Sequence, residues 1–255
     1  MTKRQVRTLA AVALGGLAMA SQAATVNLTQ WAYGDSWGNV VNVGSPDYSG
    51  AAGGFKGAVL FDSADSASGF SGMMTGVITY CVELQETFKL PSGAMSGFSV
   101  QAGANYGEWN NTNGLGKTAT GTSNRLGQLL SYAAANNVIR SGSAAADSTS
   151  LQLAIWNVIY DTDNSVGSGA FEEKSGASYD AYADTLLAAS TGWNRMLDVY
   201  VLQKNGVQDF VLTRDSGRVV TANTEGIANI PEPASLALAA LGLVAAGAAS
   251  RRRKG

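Results

Sequence analysis

One thiol and one carboxamide are the residues of this chain best suited to covalent chemistry. Cys81, the only cysteine among 255 residues, lies in Met74-Thr75-Gly76-Val77-Ile78-Thr79-Tyr80-Cys81-Val82-Glu83-Leu84. Met74, Ile78, Tyr80, Val82 and Leu84 alternate onto one face of a predicted strand, which puts Cys81 on the other. An odd cysteine in an exported chain has no intramolecular disulfide partner. It is a free thiol, an intermolecular link or a group committed to other chemistry. Gln152 lies in Leu151-Gln152-Leu153-Ala154-Ile155-Trp156-Asn157-Val158-Ile159-Tyr160. At helical spacing Leu151, Ile155, Val158 and Ile159 fill one face and Leu153, Trp156 and Tyr160 another, so the helix is buried nearly all round. A primary amide taken out of water without partners costs about 1–3 kcal/mol, so Gln152 requires partners. The preceding Asp147-Ser148-Thr149-Ser150 reads as a cluster of N-cap side chains that starts this helix.

Other site chemistries are constrained by what the chain lacks. It contains no histidine, which excludes a Cys-His pair, a Ser-His-Asp triad and any His-bearing zinc site. Asp161, Asp163 and Glu172 have the residue types of a calcium loop at positions 1, 3 and 12. Val166, however, occupies position 6, where the sharp turn calls for glycine, and a plain acidic loop is the alternative reading. Glu83 and Glu86 could be paired as glycosidase carboxylates, but two nearby carboxylates occur too often by chance to carry that assignment. No cofactor is called for.

The motifs Tyr80-Cys81-Val82-Glu83 and Leu151-Gln152-Leu153-Ala154-Ile155-Trp156 are separated by a helical segment. Together they resemble the Cys-Gln thioester-forming domain of bacterial surface adhesins, over roughly residues 57 to 213. The resemblance implies that the Cys81 sulfur displaces ammonia from the Gln152 amide. The internal thioester so formed, with Tyr80, Glu83 and Trp156 around it, would be open to attack by an amine on a surface or matrix polymer or protein. Apolar walls such as Trp156 would limit hydrolysis, and Glu83, two residues from Cys81 on the same strand face, could assist proton transfer, with a solvated surface glutamate as the alternative reading. Each molecule would react once, so the chain is not expected to be an enzyme. Read without the resemblance, a strand cysteine is also commonly a small buried hydrophobe and a helical glutamine a satisfied amide. That leaves a non-covalent structural or biofilm matrix protein as the alternative.

Both termini read as address signals. Residues 1–23 have a positive start (Lys3, Arg4, Arg7), an apolar core from Leu9 to Ala20 and a small-x-small site at Ser21-Gln22-Ala23, as in a secretory signal peptide handled by the Sec translocon. At the other end Pro231-Glu232-Pro233 precedes a nearly uncharged run, Ala234 to Ser250, and the basic cluster Arg251-Arg252-Arg253-Lys254. Such a span stops in the membrane with its basic end in the cytoplasm and the body facing outward. This order resembles the PEP-CTERM sorting tail of Gram-negative bacteria, which implies processing by a membrane exosortase. The implied route is an inner-membrane-anchored precursor followed by the outer cell surface or extracellular matrix.

Of 17 basic and 19 acidic residues, the two signals hold 7 and 1, leaving 10 against 18, a net charge of −8, in residues 24–228. An acidic body argues against phosphate backbones, so no nucleic-acid partner is expected. About 205 residues suffice for one domain with a full core. Residues 24 to 56 read as irregular structure on a sheet edge, with short strands at Thr25–Leu28 and Asn39–Val43 and the aromatics Trp31, Tyr33, Trp37 and Tyr48 anchoring loops. Strands are expected at Gly57–Phe61, around Cys81, at Glu86–Leu90 and at Gly97–Gln101, with a loop over Asn110–Ser123. Leu126, Leu129, Leu130, Ala133, Ala134 and Val138 predict a helix ending near Asn136-Asn137, and Ser141–Ala146 a linker. A third helix, capped by Ser178, carries Tyr179, Tyr182, Ala183, Leu186 and Leu187. Strands return at Leu197–Gln203 and Val207–Thr213 around the turn dipeptide Asn205-Gly206. The expected fold class is α+β: an antiparallel β-sheet or barrel with an inserted helical subdomain over about residues 123–190.

Overall fold

The computed structural model describes residues 23–33, 39–44, 47–62, 68–142, 144–175 and 179–215. Residues 1–22 of the expected signal peptide, Trp37, Ser178 and the sorting tail therefore lie outside the described residues, while Ala23, the expected last residue of that peptide, opens the first strand. Six strands close into an antiparallel barrel in the order β1 (Ala23–Trp31), β4 (Phe55–Phe61), β5 (Gly72–Cys81), β8 (Val207–Asp215), β7 (Leu197–Lys204), β6 (Met95–Ala102). A separate hairpin pairs β2 (Asn39–Gly44) with β3 (Asp47–Ala52). Three helices, α1 (Ala119–Ala135), α2 (Ala145–Tyr160) and α3 (Tyr179–Ser190), lie in chain order between β6 and β7. The class is α+β.

Period-2 alternation builds the barrel wall. In β1, Ala24, Val26 and Leu28 are wholly buried while Ala23, Thr25 and Asn27 between them are partly exposed. β1 pairs with β4 on one side and β6 on the other. It is thus a staple of the closed barrel rather than the sheet-edge segment expected, and Trp31 at its end is buried. The helices follow the 3.6 period: Leu126, Leu129, Leu130 and Ala133 of α1, and Ala183, Leu186 and Leu187 of α3, are buried. α2 is buried over twelve consecutive residues, Ser148 to Ile159. The Asn205-Gly206 hairpin forms, with Gly206 at φ 76° where a side chain would be strained.

Four local expectations fail, each for an identifiable reason. Glu86–Leu90 is not a strand; its alternating exposure comes from an irregular segment whose Phe88 packs against Phe55 and Phe210. α1 begins at Ala119, inside the expected Asn110–Ser123 loop, because the Thr118 side chain caps it by accepting from the Gly121 amide. Small residues such as Ala119 and Gly121 carry no apolar period to announce a helix. α2 begins at Ala145, within the expected Ser141–Ala146 linker, with Ala144 as an N-cap that makes no side-chain hydrogen bond. The cluster Ser148, Thr149 and Ser150 therefore lies inside the helix.

The fourth failure concerns the face of β5. Gly57 of β4 is opposite Val77 and Ala58 is opposite Thr75, which leaves Gly76 as an extra residue at φ 68°. A bulge of this kind reverses the alternation, so Met74 and Ile78 do not share a face as expected. Beyond it Val77 to Cys81 are all buried, because both sides of this end of β5 are covered. The strand ends at Cys81, and Val82, Glu83 and Leu84 follow outside it.

Candidate functional site

β5 reaches Cys81 with a backbone partner on one side only. Tyr80 is opposite Val211 and Cys81 opposite Phe210 of β8, and the Val82 amide donates to the Asp209 carbonyl at 3.1 Å. In an antiparallel ladder alternate residues point their N–H and C=O the other way, so those of Cys81 face away from β8. On that side β4 begins at Phe55, opposite Thr79, and nothing in the sheet lies across from Cys81.

Gln152 fills the gap. The Cys81 amide donates to Gln152 Oε1 at 2.9 Å, and Gln152 Nε2 donates to the Cys81 carbonyl at 2.8 Å. The carboxamide thus replaces the peptide of a missing neighbouring strand. Gln152 is wholly buried and Cys81 is 7% exposed.

The register of α2 against the sheet comes from the residues expected to cap it. Ser148 Oγ accepts from the Gly54 amide at 2.7 Å, and Thr149 Oγ1 donates to the Ala52 carbonyl at 3.0 Å. Ser150 Oγ donates to the Tyr179 carbonyl at 2.7 Å, which ties α2 to the start of α3. Ser148, Gln152 and Trp156 follow at four-residue steps and line one stripe of the helix. Ser148 fixes the stripe to the chain entering β4, and one turn on Gln152 reaches Cys81. A further turn on, Trp156 is buried against Tyr48, ring centroids 5.3 Å apart. Tyr80 is buried with its ring against Gly54, where an added Cβ would lie 2.8 Å from Tyr80 Cζ.

Burial pushes the Cys81 thiol well above its ordinary pKa, and the nearby Glu83 carboxylate adds to the rise. Glu83 does not extend β5 as expected, yet it stands in a cluster that the sequence did not reveal. Ligand oxygens of Glu83, Glu86 and Asp209 lie within 4.8 Å of one another. The Tyr106 hydroxyl is 2.7 Å from Asp209 Oδ2 and 3.2 Å from Glu83 Oε1. Burial, then its carboxylate neighbours, raises Glu83 to about 7, and burial raises Asp209 to about 6. One hydroxyl proton cannot serve two carboxylates fully, which leaves the pair under-satisfied when both are charged. Asp209 had one visible sign in the sequence: Gln208-Asp209 interrupts the apolar run of β8 with two polar residues, both buried. These three carboxylates are the one group among the described residues arranged to hold a metal ion.

The three residues of the calcium reading, Asp161, Asp163 and Glu172, are each engaged with partners of their own. Asp161 accepts from the Thr162 and Phe171 amides at 2.6 and 2.8 Å, and Asp163 from the Ser165 amide at 3.0 Å. Glu172 turns instead to Lys174, 3.9 Å away on the surface. The positive charge at the end of α2 is supplied by Lys117, whose ammonium donates to the Val158 and Asp161 carbonyls.

A pocket of about 260 Å³ has Cys81 in its wall. Trp31 and Phe55 (ring centroids 4.6 Å apart) and Phe88, 4.8 Å from Phe55, form an aromatic side, while Glu86 and Gln208 contribute polar groups.

Comparison with known proteins places the C-terminus. Residues 229–254 match the PEP-CTERM protein-sorting motif, which contains Pro231, Glu232, Pro233 and the Arg251-Arg252-Arg253 cluster. The motif marks an exported protein that is membrane-anchored before processing, with exosortase as its processing partner. No curated protein and no solved structure shows significant similarity to the chain.

Proposed function

We propose that the exported body attaches covalently to amine-bearing targets through an internal thioester between Cys81 and Gln152. The observation that supports this reading is the paired hydrogen bonding of the Gln152 carboxamide to the Cys81 peptide, which keeps the carboxamide beside the cysteine backbone in a buried setting. Holding two reactants together converts a bimolecular step into an intramolecular one. The Cys81 N–H on Oε1 is aimed at the oxygen that would gain negative charge when sulfur adds to Gln152 Cδ, the role of an oxyanion donor.

In the forming step the Sγ–Cδ bond is made, the Cδ–Nε2 bond breaks, and the thiol proton leaves with Nε2 as ammonia. In the capturing step an amine nitrogen bonds to Cδ and the sulfur departs to become a thiol again. The burial that raises the Cys81 thiol also makes its thiolate a reluctant leaving group, which slows hydrolysis while no amine is bound. Each molecule would react once, at the outer cell surface or in the extracellular matrix, so this is attachment rather than enzymatic turnover.

A second reading rests on the same two hydrogen bonds. They give both the oxygen and the nitrogen of the carboxamide a partner, as a structural clamp would, and would then belong to a non-covalent matrix protein with an inert thiol. Amine capture separates the two. Incubating the exported protein with methylamine should place the amine on Gln152 and free the Cys81 thiol, and the C81A variant should capture none. Failure of the wild-type protein to take up methylamine under native conditions would favour the clamp.

A further inference from the structure

The pocket beside Cys81 combines three features that bear on which amine could react. Gln152 is wholly buried, and the pocket wall includes Cys81, so an amine approaching from this pocket reaches the pair at Cys81. The wall formed by Trp31, Phe55 and Phe88 is apolar and aromatic and suits the methylene stem of an amine. Glu86 brings a carboxylate to the same pocket, and two further carboxylates, Glu83 and Asp209, stand behind it within 4.8 Å. About 260 Å³ admits a slender chain and leaves little room for branching.

Building on the thioester reading, we infer that this pocket is the entrance for the acceptor. It selects a primary ammonium at the end of an unbranched apolar stem, the form a lysine side chain presents, with Glu86 as the residue that sets the charge preference. The steps balance. The incoming ammonium first loses one proton to the carboxylate group, the free amine adds to Gln152 Cδ, and the Cδ–Sγ bond breaks. The departing sulfur takes the second proton from nitrogen, leaving an amide and a thiol. Glu83 and Asp209, within 4.8 Å of Glu86, belong to the carboxylate group that receives this first proton. Glu86 Oε1 already accepts from the Gly206 amide at 2.9 Å, which fixes the carboxylate while leaving it its second oxygen.

The test uses the full exported protein and three probes: n-butylamine, 5-aminopentanoate, whose far end is anionic, and isobutylamine, which is branched. Each rate of adduct formation, read by intact mass, is divided by the rate of the same amine with a small soluble thioester, which removes differences in intrinsic amine reactivity. The divided rates should favour n-butylamine over 5-aminopentanoate by a factor on the order of ten, the effect of one carboxylate at close range. A smaller preference over isobutylamine is expected as well. E86Q keeps an oxygen for the Gly206 amide and should largely abolish the charge preference while still forming adducts. Wild-type rates that simply track those of the small soluble thioester would overturn the inference and leave the thioester reading standing, since adducts form. A charge preference unchanged in E86Q would remove Glu86 from the role. No adduct with any probe would overturn the thioester reading, and this inference with it.

Discussion

The Gln152 carboxamide occupies the position that a neighbouring strand's peptide would take beside Cys81, donating to its carbonyl and accepting from its amide at 2.8 and 2.9 Å. The arrangement makes the two residues unequal in their effect on stability. Q152A strands a buried N–H and a buried C=O, each costing about 1–3 kcal/mol when unpaired, whereas C81A removes one sulfur and leaves the backbone pairs intact. Neither variant can form the thioester, so chemical denaturation should show Q152A less stable than C81A, which keeps both hydrogen bonds, by about 2 kcal/mol. Equal and small losses would mean that the Cys81 peptide finds other partners.

Ser148 sets where α2 lies relative to the sheet. S148A removes the acceptor of the buried Gly54 amide and should lower stability by about 1–2 kcal/mol. On the thioester reading it should also reduce the fraction of molecules carrying the bond, because Gln152 rides one turn further along the same stripe. S150A, which cuts the tie to Tyr179 on α3, should lower stability without that loss. The two effects are separable by unfolding curves and intact mass on the same samples.

Glu83 gives the fold a pH dependence of definite sign. Its folded pKa is raised from 4.5 to about 7, so its contribution to stability is fully present below about pH 4.5 and is lost as pH rises through about 7. Asp209, raised to about 6, acts in the same direction. E83Q removes the charge and keeps an acceptor for Tyr106. Its melting temperature should exceed that of the wild type at pH 8, by the equivalent of about 1–2 kcal/mol after allowing for the water that reaches Glu83, and the gain should vanish near pH 4. A gain of the same size at both pH values would show that the carboxyl does not titrate in this range.

Part of the barrel could be read from alternation, as in β1, where Ala24, Val26 and Leu28 recur at every second position, whereas β7 and β8 read as short apolar runs, Val199 to Leu202 and Phe210 to Leu212. The helices were legible where leucines recur, as in α1 from Leu126 onward, and less so where small residues begin a helix, as at Ala119. Gly76 shows why the face of β5 was not readable: one extra residue reverses every assignment beyond it. Ser148, Thr149 and Ser150 have side chains that cap helices as readily as they tether them, and only packing against residues 52–54 and Tyr179 decides between the two. The proximity of Cys81 and Gln152 was expected from a resemblance, whereas the carboxylates around Tyr106 were not. Glu83, Tyr106 and Asp209 come from three distant segments whose meeting depends on barrel closure.

The sorting motif predicts a cut near Pro231-Glu232-Pro233 in a host with the matching exosortase. Peptide mapping of the exported form should end near that site. Recovery of Leu236 to Arg251 still joined to the surface protein would contradict processing.

The most direct test of the Cys81–Gln152 bond is the intact mass of the exported protein, purified under non-reducing, amine-free conditions, alongside alkylation of the native thiol. The thioester predicts a mass one ammonia below that of the processed sequence, no alkylation of Cys81 before denaturation, and loss of the deficit in C81A, Q152A and Q152E. The full sequence mass together with a Cys81 that alkylates in the native protein would contradict it.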